Sequence, residues 1–244
     1  MKLTYYTLFL LIVLAACGKE RATVAEVFYP IVLGDSTIAA DGQSTVSVSV
    51  RLSDEAAADR KTVVFSTTGG SFTVSGNSKQ TVKAEFENGQ VIARAVLRAP
   101  FRPGVIDISV QPEFDSPVQE YVVKASVTAL RSLPASIKLE PSALGIASNF
   151  TGEVRLVGSV KNSAGKNVSS DVEVVFDNEL QNGAPANGRF REARMVTGDS
   201  SKVSAWYGAS LLPIGTTIKI RATVLDADKN RTAISDSTFI TINL

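Results

Sequence analysis

From residue 45 the chain alternates. TVSVSVRL sets Val46, Val48, Val50 and Leu52 on one face, with Thr45, Ser47, Ser49 and Arg51 on the other. A period of two marks a half-buried antiparallel strand. The pattern returns over 121–128, where Tyr121, Val123, Ala125 and Val127 share a face, and over 217–224, where Ile218, Ile220, Ala222 and Val224 do. Gly, Asn, Asp and Pro clusters punctuate the runs about every ten residues, which predicts an all-β chain built from sandwiches. One stretch, 53–60, is the only candidate helix; its three alanines lie in a polar inter-strand loop.

The pattern also repeats. Val63-Val64-Phe65 returns as Val174-Val175-Phe176, offset by 111 residues (63 to 174), and Gly104 returns as Gly215 at the same offset (104 to 215). The run 91–97 falls on 202–208, again 111 apart, whereas Gly70-Ser71-Phe72 meets Gly188-Arg189-Phe190 at 118 (70 to 188). The second copy thus carries about seven extra residues over 178–187. Two tandem β-sandwiches are expected, over 24–130 and 131–244, joined at Leu130-Arg131-Ser132-Leu133-Pro134. So short a joint predicts units stacked end to end with limited bending.

Composition removes whole classes of chemistry. The 244 residues include no histidine and one cysteine, with 25 basic and 24 acidic side chains. Histidine general bases, histidine metal ligands, Cys/His pairs and intramolecular disulfides are therefore excluded. A near-neutral chain offers no case for nucleic acid, whose binding needs a basic patch.

The first residues, MKLTYYTLFLLIVLAAC, place Lys2 before an apolar run that is too short to span a bilayer and ends in two small residues. Leu14-Ala15-Ala16-Cys17 resembles the lipobox of bacterial lipoproteins. The resemblance implies a leader over 1–16 that is cut before Cys17, a diacylglyceryl thioether on Cys17, and a lipidated tether over 17–23. Two or three acyl chains hold a protein on a membrane where one does so only reversibly. Gly18 stands where an aspartate resembles the inner-membrane retention signal, so the outer membrane is the expected address. Lys19-Glu20 faintly resembles a surface-export tag.

The first copy resembles a further group. Ala40-Asp41-Gly42 leads into the alternating strand, followed by 63–66 (VVFS), Gly70-Ser71-Phe72 and Asn88-Gly89-Gln90-Val91. These are similar to the bacterial immunoglobulin-like domains of the invasin and intimin adhesins. The resemblance covers about 80 residues of the first domain. The second keeps only V-V-F and G-x-F and lacks A-D-G. In that group the modules act as rigid spacers and adhesive surfaces without catalysis, so no enzyme activity and no cofactor are expected.

Candidate sites are few. Phe101 and Phe114 lie in proline-bounded loops, each able to bind a partner or to plug its own end of the core. Trp206 and Tyr207 are adjacent in a strand and face opposite ways, so at most one joins the core; the other could form a sugar-stacking platform. Asp226, Asp228 and Asn230 have the opening spacing of a calcium loop, but Arg231 and Ser237 replace its glycine and glutamate, so a polar turn is expected there and no metal. Asp54, Glu55 and Asp59 read as a solvated loop, and Ser78-Lys79 and Ser201-Lys202 as turns. Asp35-Ser36-Thr37 and Asp236-Ser237-Thr238 resemble the acceptor triplet of bacterial O-glycosylation. The outer strands over 118–128 and 235–244 carry no blocking proline, leaving an edge able to accept a partner's strand. The tether and two stacked units reach about 80–110 Å, which favours an envelope protein or glycan close to the membrane over a distant host surface. A short surface adhesin is the alternative, and an enzyme the remote one.

Overall fold

The computed structural model describes residues 24–53, 61–113, 121–148 and 152–243. The leader, Cys17 with Leu14, Ala15 and Ala16, most of the 53–60 stretch, and Phe114 lie outside the described residues. The chain opens with one helical turn, α1 (Val24–Val27). Ten strands follow: β1 (Val32–Leu33), β2 (Thr37–Ala39), β3 (Thr45–Leu52), β4 (Thr62–Thr67), β5 (Ser71–Phe72), β6 (Lys79–Lys83), β7 (Glu85–Glu87), β8 (Gln90–Arg98), β9 (Gly104–Pro112) and β10 (Val123–Leu130). Eight more make the second half: β11 (Ser136–Pro141), β12 (Gly145–Ala147), β13 (Val154–Lys161), β14 (Val174–Leu180), β15 (Arg189–Arg194), β16 (Lys202–Gly208), β17 (Thr217–Leu225) and β18 (Arg231–Asn243).

The strands form four sheets that pair into two sandwiches. In the first, β1-β3-β8-β5, with β7 also on β8, faces β2-β10-β9-β4-β6; in the second, β11-β13-β16-β15 faces β12-β18-β17-β14. The path is the same in both halves, except that among the described residues the second has no strand matching β7 and keeps only the isolated Glu173–Val196 bridge where β6 pairs with β4. Each half has its own core, one drawn from Phe28 to Ala129 and the other from Ile137 to Ile242. The alternation explains it: Val46, Val48, Val50 and Leu52 are all buried, as are Ile218, Ile220, Ala222 and Val224. The 121–128 run starts two residues late, at Val123, with Tyr121 half-buried against the core beside it.

The repeat holds in topology but slips in register. Leu97 stands opposite Val46 and Phe72, and Tyr207 opposite Val154 and Phe190, so β16 corresponds to β8 at an offset of 110 (97 to 207). Phe65 faces Val110 and Phe176 faces Ala222, so β17 corresponds to β9 at 112 (110 to 222). A uniform 111 would lay buried Val91 on exposed Lys202. An odd slip moves every side chain to the wrong face, and the loop between β16 and β17 takes up the difference. The equivalence of Phe72 with Phe190 stands. Phe65 and Phe72 meet edge-to-face at 6.0 Å, and Phe176 and Phe190 sit 5.8 Å apart in the other core.

The expected free edge at 235–244 is covered. Asp236 of β18 accepts the Leu139 amide of β11 through Oδ2 at 2.8 Å, and its Oδ1 accepts the Ser237 amide. β18 therefore lies against the opposite sheet, and its end pairs with β12.

Candidate binding surfaces

The joint explains the A-D-G opening. Asp41 is fully buried, and its carboxylate accepts the amides of Gln43 and Ser44 (2.8 and 2.6 Å) and the Ser44 hydroxyl (2.7 Å). Gly42 adopts φ +68°, and the Phe101 ring lies where a Cβ would be, with ring atoms 2.2 Å from that position. Only glycine serves there. The loop so shaped meets the second sandwich: Ser169 donates its hydroxyl to the Ala40 carbonyl (2.8 Å), and the Ser170 amide donates to the Phe101 carbonyl (2.9 Å). Lys166 reaches Ser44 at 3.1 Å, and Gln43 accepts the Asn167 amide at 3.2 Å. Ser132 of the connection donates its hydroxyl to the Asn167 carbonyl and its amide to the Ser169 hydroxyl. Phe101 is thus half-buried at the joint, its ring packed over Gly42.

Trp206 and Tyr207 separate as alternation requires. Tyr207 is fully buried, its ring 5.1 Å from Phe190. Its hydroxyl lies against Gly188 and makes only a long 3.5 Å contact with Asn178 Oδ1. Burial pushes its pKa up to about 12. Tyr207 belongs to the core.

Trp206 lies between buried Ala205 and Tyr207 and so faces outward, half-buried. Its direct neighbours across the sheet are Arg155 of β13 and Arg191 of β15. Residues directly opposite in antiparallel strands share a face with Cβ atoms about 4.5–5.5 Å apart. Beside this row opens a cleft of about 670 Å³ lined by Glu153, Asn187, Arg189, Arg191 and the Gly208-Ala209-Ser210 segment. Arg191 donates through Nε to Glu153 Oε1 at 2.7 Å, and this pairing raises its pKa further. The 178–187 insertion builds one wall, held by Ser210, which donates to the Ala186 carbonyl, and by Asn178, which accepts the Gly188 amide. β15 bulges between Arg191 and Arg194, with Glu192 at φ 46°.

Arg155, Arg189, Arg191 and Glu153 escape a motif search, because they come together only through strand pairing. Parity was the available signal, since Arg155 and Arg191 occupy outward positions of strands flanking Trp206.

The remaining described candidates sit in turns and strands. Asp226 accepts the amides of Asp228 (2.9 Å) and Asn230 (2.8 Å), closing the β17–β18 hairpin as the expected turn. Ser201 is buried and exchanges hydrogen bonds with Val168. The second Asp-Ser-Thr triplet lies inside β18, with Thr238 opposite buried Ile220 on the core side. The first is exposed, with Asp35 bonded to the Thr37 amide at 3.0 Å. Among the described residues, no helix is long and apolar enough to cross a membrane.

No family model matches the sequence, and no curated protein matches it. The fold, however, is shared. Invasin, described as a bacterial integrin-binding protein, superposes with a TM-score of 0.57 at 17% identity over 87% of this chain. The Yersinia pseudotuberculosis adhesin InvE matches 91% of the chain at 16% identity with a TM-score of 0.45. A family 2 glycosyl hydrolase from Bacteroides cellulosilyticus matches 84% at 13% identity and 0.35. The chain spans 38% of invasin, 62% of InvE and 24% of the hydrolase. In fold, this chain stands with the immunoglobulin-like domains of the invasin group.

Proposed function

We propose that this protein is a non-catalytic binding module held on a bacterial envelope membrane by lipid on Cys17, with its second sandwich presented away from the bilayer. The direction of the chain is the main support. Phe28 bridges to Leu52, and Ser53 donates its amide to Val27, so the N-terminal turn packs at the pole where β3 ends. The joint lies at the other pole, where β3 begins beside Ser44. A tether preceding residue 24 leaves the Trp206 face in the lobe farthest from the membrane. The outer membrane is the proposed address, and an envelope protein or glycan the proposed partner class. Replacing Cys17 with serine tests the anchor: the variant should leave the membrane fraction and lose the mass of its acyl chains. An unchanged mass and unchanged partitioning overturn the reading.

The fold shared with invasin supports a second reading, a short surface adhesin. Protease treatment of intact cells separates the two, since an adhesin is cleaved on living cells and an inward-facing module only after lysis.

A further inference from the structure

The two sandwiches supply an internal control for the outward face of β16. Because Leu97 and Tyr207 are equivalent, Val96 is the counterpart of Trp206. Val96 is flanked by Ser47 on β3 and by Thr73, whose amide donates to the Val96 carbonyl at 2.9 Å. One sandwich closes its sheet with a Ser–Val–Thr row and the other with Arg–Trp–Arg, so the fold does not demand the latter. Edge protection explains charge and a bulge on β15, since edge strands are commonly blunted that way. It does not explain Arg155 and Trp206, which sit on β13 and β16, both paired on two sides.

We infer that this face and the adjoining cleft bind an acidic oligosaccharide of the uronate type. The groups present divide the work. Arg155 and Arg189 are exposed and have no carboxylate partner among the described residues, leaving their guanidinium forks open for sugar carboxylates. Arg191 is held by Glu153. The second oxygen of Glu153 and the exposed amide of Asn187 offer partners for sugar hydroxyls. Trp206 presents the apolar surface on which a pyranose ring packs. A carboxylate set among the arginines disfavours a dense polyanion, and the balance of 25 basic against 24 acidic residues supplies no extended field for one. The cleft falls within the range of about 300–1,000 Å³ usual for small-ligand sites. The inference rests on the binding-module reading but not on the lipid anchor.

Titration calorimetry of the full-length protein in detergent tests it, with oligogalacturonate as the probe and a neutral maltooligosaccharide and polyphosphate as comparators. Oligogalacturonate should bind in the submillimolar range, at least about tenfold tighter than either comparator. Arg155→Gln should weaken it about fivefold and Trp206→Ala about tenfold, whereas Val96→Ala in the other sandwich should change nothing. Arg155 is exposed, so its variant keeps the fold even if Trp206→Ala loosens the sheet; circular dichroism verifies both. Absence of oligogalacturonate binding at millimolar concentration, equal binding of a comparator, or indifference to both variants overturns the inference. Since the Cys17→Ser experiment reads mass and partitioning, failure of the anchor and failure of this site are distinguishable.

Discussion

At equivalent points of the two cores stand Leu97 and Tyr207. Each is fully buried, and each packs beside a phenylalanine on the neighbouring strand, Phe72 or Phe190. The larger side chain in the second sandwich needs more room. It finds it where Gly188 approaches the ring so closely that a Cβ would lie 2.2 Å from the Tyr207 hydroxyl oxygen. One topology thus tolerates two core solutions and two surfaces, and each difference lies next to the 178–187 insertion. Surface chemistry and core packing differ together on one side of one lobe.

The strongest way to break this comparison is Tyr207→Ala. Removing a fully buried aromatic costs about 3–5 kcal/mol, so the second sandwich should unfold at much lower denaturant while the first keeps its midpoint. Separate probes on the two units, such as fluorescence from Trp206 and amide exchange in β3, check this. A joint shift of both transitions would mean that the units fold as one.

Alkali sharpens the same contrast. Tyr207 is held neutral, with a folded pKa near 12 against about 10 in an unfolded chain. Its contribution is fully present below pH 10 and is lost as pH rises toward 12, an effect of about 2–3 kcal/mol. The second sandwich should therefore weaken more steeply than the first across this window, and Tyr207→Phe should remove the excess.

Gly42→Ala attacks the joint. A non-glycine residue at φ +68° is strained, and its Cβ displaces the Phe101 ring. The expected cost is about 1–3 kcal/mol in the first sandwich, with faster proteolysis at 130–134. Smallest is Ser169→Ala, which removes the hydrogen bond to the Ala40 carbonyl together with the acceptor of the Ser132 amide and should cost about 1–2 kcal/mol. Small-angle scattering should then detect wider bending between the lobes if this hydrogen bond restrains them.

Alternation made the long strands legible: β3 runs over Thr45–Leu52 as the pattern predicts, and β17 extends the predicted run by one residue. Strands as short as β1 and β2 contain too few residues to show a period, and the parallel pairing of β2 on β10 has no local signature. The offset of 111 holds for Val63-Val64-Phe65 and Val174-Val175-Phe176 but not for the later strands, because a lone glycine such as Gly104 or Gly215 carries no parity. Ile214 and its neighbours absorb the mismatch in a loop, where alternation is silent. The A-D-G triplet was legible as a family resemblance, but its task was not: Ala40 acts on Ser169, 129 residues away. The Trp206 face was half legible, the indole from its neighbour's parity but its arginines only from pairing.

In each lobe a short early strand lies parallel to the last one: Thr37 to Ala39 beside Thr128 to Leu130, and Gly145 to Ala147 beside Thr241 to Asn243. Tension along the chain drags these neighbours in opposite directions. Their rungs are then loaded simultaneously in shear, whereas a hairpin pulled from its open end gives way rung by rung. A protein moored before its first lobe and gripping through its second would load the first of these clamps, because force enters ahead of Thr37 and leaves after Leu130.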